Sequence, residues 1–244
     1  DTTYLTLASI NDFHGRIDAN TLKWAGTVAQ VVESSDNDVL ISAGGDLIGA
    51  SLFASATAQD QPTIDVMNAI GLDASAAGNH EFDQGWDDLR DRVLGGDPTN
   101  PTNAEWIYLG ANVYAKGTQT PVLPEYYIQT IDGIDVGVIG AVTEETPSLV
   151  SPGGITDLDF GDPVEAVNRV AAQLTDGNPA NGEADILVAT FHEGAPSGAQ
   201  TLEQNLAASA VFAEIVNGVS GDVDVLFTGH THQAYTFDGP VPGG

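Results

Sequence analysis

The chain has 244 residues, 42% of them hydrophobic, with 35 Asp and Glu against six Lys and Arg, a formal net charge of −29 and no cysteine. That length predicts one large core rather than two, and the lack of cysteine excludes disulfides, thiol nucleophiles and zinc-thiolate sites, so a metal here must be held by imidazole, carboxylate or amide oxygen. The acidic surface repels nucleic acid and anionic membranes at long range, and no segment approaches the roughly 20 apolar residues of a membrane-spanning helix.

In chain order, Tyr4 to Ile10 reads as a strand, Leu22 to Val32 as an amphipathic helix and Asp38 to Ala43 as a buried strand. A helix near Pro62 to Ile70, a short strand before Gly78 and a helix near Trp86 to Leu94 continue the alternation, followed by strands at Trp106 to Val113 and Tyr126 to Thr130. Asp132-Gly133 between two apolar runs predicts a type I′ hairpin, which makes the sheets mixed. Pro163 to Leu174 reads as a helix with Pro in its first turn, Ala184 to Ala189 as a strand, Leu202 to Val216 as a helix and Val223 to Phe227 as a strand. Gly95 to Asn103 and Asp176 to Gly182 are expected to be surface loops. The start carries no basic or apolar signal region, and both ends, Asp1 and Gly-Pro-Val-Pro-Gly-Gly, read as trimmed boundaries.

All five histidines fall at or just after predicted strand ends: His14, His80, His192, His230 and His232. Asp12 and His14 are two apart, so an extended chain points both to one side. Asp46 follows Ala-Gly-Gly and is a candidate to bridge two cations. Asn79 offers an uncharged amide oxygen to a cation while the adjacent His80 faces a substrate. Asp83, three residues on, is placed to fix the His80 tautomer and raise its basicity. Each piece alone has an ordinary reading: a surface Asp-His pair, a Gly-Asp turn, a capping Asn. Together, at the strand ends where open α/β sheets place their sites, they point to a metal centre. Arg16 reads as either a phosphate contact or, more simply, an exposed partner for one of many acids. Trp24, Trp86 and Trp106 read as packing residues, and Asn112 as a structural amide at a strand end.

The chain resembles the calcineurin-like metallophosphoesterases through Asn11-Asp12-Phe13-His14-Gly15, Gly44-Gly45-Asp46, Gly78-Asn79-His80-Glu81, His192 and Gly229-His230-Thr231-His232. More narrowly it is similar to their bacterial 5′-nucleotidase and 2′,3′-cyclic phosphodiesterase branch, through Met67 to Asp83, Ile139 to Thr143 and Phe191 to Gly194. The resemblance implies a four-layer αββα sandwich, two mixed sheets flanked by helices, with residues 1-244 forming a single catalytic domain. It implies two divalent ions, Zn, Mn, Fe or Ni: one held by Asp12, His14, Asp46 and His232, the other by Asp46, Asn79, His192 and His230. His80 and Asp83 would form the catalytic dyad. The expected reaction is hydrolysis of nucleoside monophosphates or related nucleotides by a metal-bridging hydroxide. An extracellular nuclease or cyclic phosphodiesterase, a nucleotide-sugar hydrolase, and a metal-stabilised binding domain idle without its partner domain are the alternatives. The family's C-terminal substrate-recognition domain has no counterpart after His232. The resemblance also implies an extracellular, periplasmic or cell-wall location.

Overall fold

The computed structural model describes residues 3–239. The first half contains β1 (Thr6–Ile10), α1 (Thr21–Ser34), β2 (Val39–Ala43), α2 (Phe53–Ala56), α3 (Gln61–Ala69), β3 (Ala74–Ala76), α4 (Trp86–Asp88) running on into a wide π turn over Leu89–Val93, and β4 (Ile107–Leu109). The second half contains β5 (Val113–Ala115), β6 (Tyr126–Ile131), β7 (Ile134–Val142), α5 (Thr146–Leu149), β8 (Leu158–Phe160), α6 (Pro163–Leu174), β9 (Ile186–His192), α7 (Leu202–Ala208), α8 (Ala210–Gly218) and β10 (Val225–Thr228).

One sheet has the order β1-β2-β3-β4 with every neighbouring pair parallel. The other runs β10-β9-β7-β6 and is parallel except at the β6–β7 hairpin. Among the described residues only this second sheet is therefore mixed; in the first, helix-containing crossovers return the chain to the same end before each new strand. Leu40, Ala74 and Leu109 of the first sheet pack against Val136, Val138 and Val188 of the second, forming a core between the sheets. The sheets approach closely at β7, where a Cβ on Gly140 would lie 2.4 Å from the Leu109 Cβ. Ile64 and Met67 of α3, with Leu89 and Val93, cover the outer face of the first sheet; α6 and Ile215 of α8 cover that of the second. The order of layers is helix, sheet, sheet, helix.

The α6 helix follows from its sequence. The Asp162 side chain caps it by accepting from the Val164 and Glu165 amides, and Pro163 occupies the first turn, where no amide is needed. Val164, Val167, Val170, Ala171 and Leu174 then repeat on one buried face, and each fully buried Val or Leu contributes about 1.5–3 kcal/mol.

Two predicted elements divide. The strand expected over Trp106 to Val113 stops at Leu109, because the buried Asn112 side chain donates to the carbonyls of Val142 and Gly161 and accepts from the Val142 amide. The chain then restarts as β5, paired with β8 in a separate two-stranded ribbon. The helix expected over Leu202 to Val216 breaks at Ser209, whose backbone is extended (φ −133°, ψ 116°) and whose hydroxyl caps α8 by accepting from the Phe212 amide.

Candidate metal centre

Parallel strands deliver the candidate residues to one end of the sandwich. In the first sheet Ile10 is level with Ala43 and Ala43 with Ser75, so the loops carrying Asp12 and His14, Asp46, and Asn79 and His80 leave side by side. In the second sheet His192 ends β9 and is level with Val142 of β7, while β10 stops at Thr228, just before His230 and His232. The Asp12 carboxylate joins the sheets by accepting from the His230 amide at 3.0 and 3.1 Å.

The local backbone is unusual. Asp12, His14, Asp46, His230 and His232 all have positive φ, between 48° and 68°, and make up five of the nine such non-glycine residues among the described residues. Asp12 and His14 are thus not presented by an extended chain, as their spacing predicts. They lie in a left-handed turn held by backbone bonds from the Asp12 and His14 amides to the carbonyls of Gly45 and Asp46. Each left-handed non-glycine residue costs about 1–2 kcal/mol, and such strain concentrates where surrounding structure dictates a functional geometry.

The donors converge around Asp46. Its Oδ2 lies 3.1 Å from His192 Nε2 and 3.6 Å from His14 Nε2, while its Oδ1 accepts from the His80 amide at 2.9 Å. His192 Nε2 is also 3.0 Å from Asn79 Oδ1 and 3.2 Å from His230 Nδ1. On the other side His14 Nε2 lies 3.0 Å from His232 Nε2, which is 3.5 Å from Asp12 Oδ1. Two ring orientations are fixed from behind: His192 Nδ1 donates to the Gly44 carbonyl at 2.7 Å and His14 Nδ1 to the Gly49 carbonyl at 3.1 Å. Those bonds place the N–H on Nδ1 and leave each Nε2 lone pair aimed at other acceptors, an arrangement that requires a proton or a cation at the centre. Gly78 allows the close approach, since a Cβ there would lie 2.2 Å from Asp46 Oδ1.

The electrostatics carry the same demand. Burial opposes a charge on His192, but the hydrogen bond and charge of Asp46 outweigh it and push the imidazole up to about 9. Burial works to raise the Asp46 carboxyl, and His192 and His80 together hold it below its usual range. His230 is lowered by burial and by its neighbour His192. The donor set of imidazoles, carboxylates and one amide fits a borderline divalent cation without thiolate.

His80 differs from the other histidines. Its Nδ1 lies 2.8 Å from Asp83 Oδ2 with both side chains about 30% exposed, so the pair stands at the mouth of the cluster. The Asp83 bond is the main cause raising the His80 pKa, against burial. His14, Asp46 and His80 are also close enough together to share an ion, so distance alone leaves His80 available to a cation as well as to a substrate.

Arg16 is exposed and makes no ion pair among the described residues, contrary to the simpler expectation for it; it lines a cavity of about 1190 Å³ together with Asp12 and His232. Trp24 packs on Phe13, Trp86 is buried beneath Arg90, and Trp106 is buried against Tyr108. One residue of the motif had no role in the sequence reading. Glu81 is buried, and its carboxylate accepts from the amides of Asp46, Leu47, Ile48 and Gly78 and from the Tyr108 hydroxyl. Burial and the Asp46 charge push it up to about 7, opposed by His192 and its amide donors. An acid between a buried strand and Phe82 was the available signal.

The sequence profile of the Calcineurin-like phosphoesterase family matches residues 5–234. The chain is 32% identical over 250 residues to Endonuclease YhcR of Bacillus subtilis, covering 94% of this chain and 20% of that protein. It is 30% identical over 253 residues to a 5′-nucleotidase of Vibrio cholerae, covering 98% of this chain and 42% of that protein. In structure it is similar to the NAD nucleotidase of Haemophilus influenzae, with a TM-score of 0.72 and 21% identity over 96% of this chain and 39% of that one. The chain thus spans less than half the length of each of these proteins.

Proposed function

This chain belongs to the calcineurin-like phosphoesterase family, and from that premise we propose that it is a metal-dependent phosphoester hydrolase acting on nucleoside 5′-monophosphates or related nucleotides. The observation that carries the proposal is the convergence on Asp46 of donors from four loops, with His192 Nε2 at 3.1 Å and His14 Nε2 at 3.6 Å and both rings pre-oriented by backbone carbonyls. Asp12, His14, Asp46 and His232 would hold one divalent ion, and Asp46, Asn79, His192 and His230 a second; Zn, Mn, Fe and Ni all suit such donors. When bound, such ions would supply Lewis acidity toward the phosphoryl oxygens and would lower the pKa of a bound water.

The chain's own groups supply the rest. His80, with Asp83 behind Nδ1, presents Nε2 at the mouth, where its proton meets charge developing on the phosphoryl group or the leaving oxygen. Arg16, with no acidic partner among the described residues, is placed to draw the phosphate toward Asp12 and His232. Base selection we assign to sequence beyond this domain, in keeping with the greater length of the relatives. We place the protein outside the cytoplasm, periplasmic or cell-wall associated, as the family resemblance expects; no described helix is long and apolar enough to cross a membrane.

A nuclease is the second reading, favoured by the similarity to YhcR and opposed by the net charge of −29, which repels a polyanion. The deciding assay measures the purified, metal-analysed protein against AMP, a cyclic nucleotide, a nucleotide sugar, bis-p-nitrophenyl phosphate and single-stranded DNA. Turnover of AMP above DNA supports the nucleotidase reading, the reverse order supports the nuclease, and absence of all turnover in metal-loaded protein overturns both.

A further inference from the structure

We infer that Glu81 is a positioning residue: its carboxylate sets the spacing between the Asp46 and Asn79 loops and thereby the affinity of Asp46, Asn79, His192 and His230 for their cation. The inference rests on the metal reading proposed above. Glu81 Oε1 accepts from the Leu47 amide at 2.8 Å, the Ile48 amide at 3.3 Å and the Tyr108 hydroxyl at 3.1 Å; Oε2 accepts from the Asp46 amide at 2.8 Å and the Gly78 amide at 2.5 Å. Asp46 to Ile48 follow β2 and Gly78 follows β3. One side chain therefore binds two loops that no backbone–backbone hydrogen bond joins among the described residues, alongside the bond from the His80 amide to Asp46 Oδ1.

The chemistry explains why an acid stands there. Successive amides pointing at a common centre form an anion cradle, and here the chain fills it with its own carboxylate. Glu81 is only 2% exposed, and a buried carboxylate is tolerated when several donors satisfy it. Its rigidity transmits directly to the donors. The Asp46 amide is held by Oε2, and the Gly78 amide on the same oxygen fixes the residue before Asn79. Asp46 belongs to both proposed donor sets and Asn79 to the second alone, so Glu81 reaches the first set through the Asp46 loop and the second through both the Asp46 loop and the residue before Asn79. The set that contains Asn79 should therefore weaken more than the other when Glu81 changes, whereas a residue that merely supported the core would weaken both alike.

Glu81→Gln keeps the shape but turns one acceptor into an N–H₂ group facing amide N–H donors, which pushes the two loops apart. The test is Mn²⁺ binding by equilibrium dialysis with metal analysis, on protein that is folded by circular dichroism and monodisperse. Wild type is expected to bind two Mn²⁺ per chain. Glu81→Gln is expected to need about 10–100-fold more Mn²⁺ for one ion, the range typical when a partner supporting metal ligands is lost, and to show a clearly smaller loss for the other. Unchanged affinity at both sites, or an equal loss at both, overturns the inference. Should Glu81→Gln fail to fold, Tyr108→Phe removes one donor to the same carboxylate and keeps the ring; a several-fold weakening greater for one ion than for the other supports the inference, and no change or an equal loss at both overturns it. A wild type that binds no Mn²⁺ overturns the metal reading itself, and the Glu81 assignment with it.

Discussion

The His80–Asp83 pair makes a quantitative prediction because it sits beside the donor cluster rather than inside the proposed ligand sets. Replacing His80 by Asn removes a group that meets charge in the transition state, and loss of one such preorganised donor lowers kcat by about 10²–10³. Asp83→Asn leaves the imidazole but replaces a charge-assisted bond of 2.8 Å with a neutral one. That difference is about 1–2 kcal/mol in a dry site. With both side chains about 30% exposed, solvent screening reduces it to about 1 kcal/mol, or roughly five-fold in kcat. The double variant should match His80→Asn within about two-fold, since Asp83 acts only through the ring. The sign with pH also follows. Asp83 raises the His80 pKa, so a reaction needing the protonated ring is lost as pH rises through that pKa, and Asp83→Asn moves the alkaline limb to lower pH. Steady-state kinetics on variants of matched metal content provide the assay. A His80→Asn protein that keeps both metals and more than a tenth of wild-type kcat refutes the dyad, and one that loses a metal makes His80 a ligand instead.

Salt should raise kcat/KM for an anionic ester, because about 0.1 M salt shortens the reach of the repulsive −29 field to roughly 10 Å; a steep fall with salt in the same assay contradicts the charge argument. Arg16→Ala should raise KM about 3–10-fold with kcat nearly unchanged, as expected for an exposed charge that aids binding alone; unchanged KM removes Arg16 from the site. Gly140→Val forces side-chain carbon against Leu109 where a Cβ already falls 2.4 Å from its neighbour. The expected loss is about 1–3 kcal/mol or more, read as a lowered Tm; an unchanged Tm contradicts the close sheet approach.

The β6–β7 hairpin and α6 were legible in the sequence for local reasons, whereas the layer order was implied by the family resemblance. Asp132-Gly133 has the φ values of 51° and 82° that a type I′ turn requires, and Asp162-Pro163 marks the first turn of α6. The candidate site residues were legible because every histidine sits at or just after a strand end. What stayed hidden depends on tertiary partners. Asn112 ends a strand by bonding Val142 and Gly161, 30 and 49 residues away, and Ser209 divides a helix although its apolar pattern continues. The left-handed turns at Asp12 and His14 leave no pattern in the side-chain spacing, which reads as extended chain. Glu81 was visible as a residue but not as a hub, since its donors are backbone amides that any sequence would supply.

Metal-dependent hydrolysis at Asp46 is tested most directly by turnover of bis-p-nitrophenyl phosphate measured against bound metal as chelated protein is titrated with Mn²⁺ or Zn²⁺, with Asp46→Asn in parallel. The chelated protein is expected to show no turnover, recovery to track filling of both sites, and Asp46→Asn to lose metal and activity together. Turnover that survives complete metal removal, or an active Asp46→Asn protein, contradicts metal-dependent hydrolysis at Asp46.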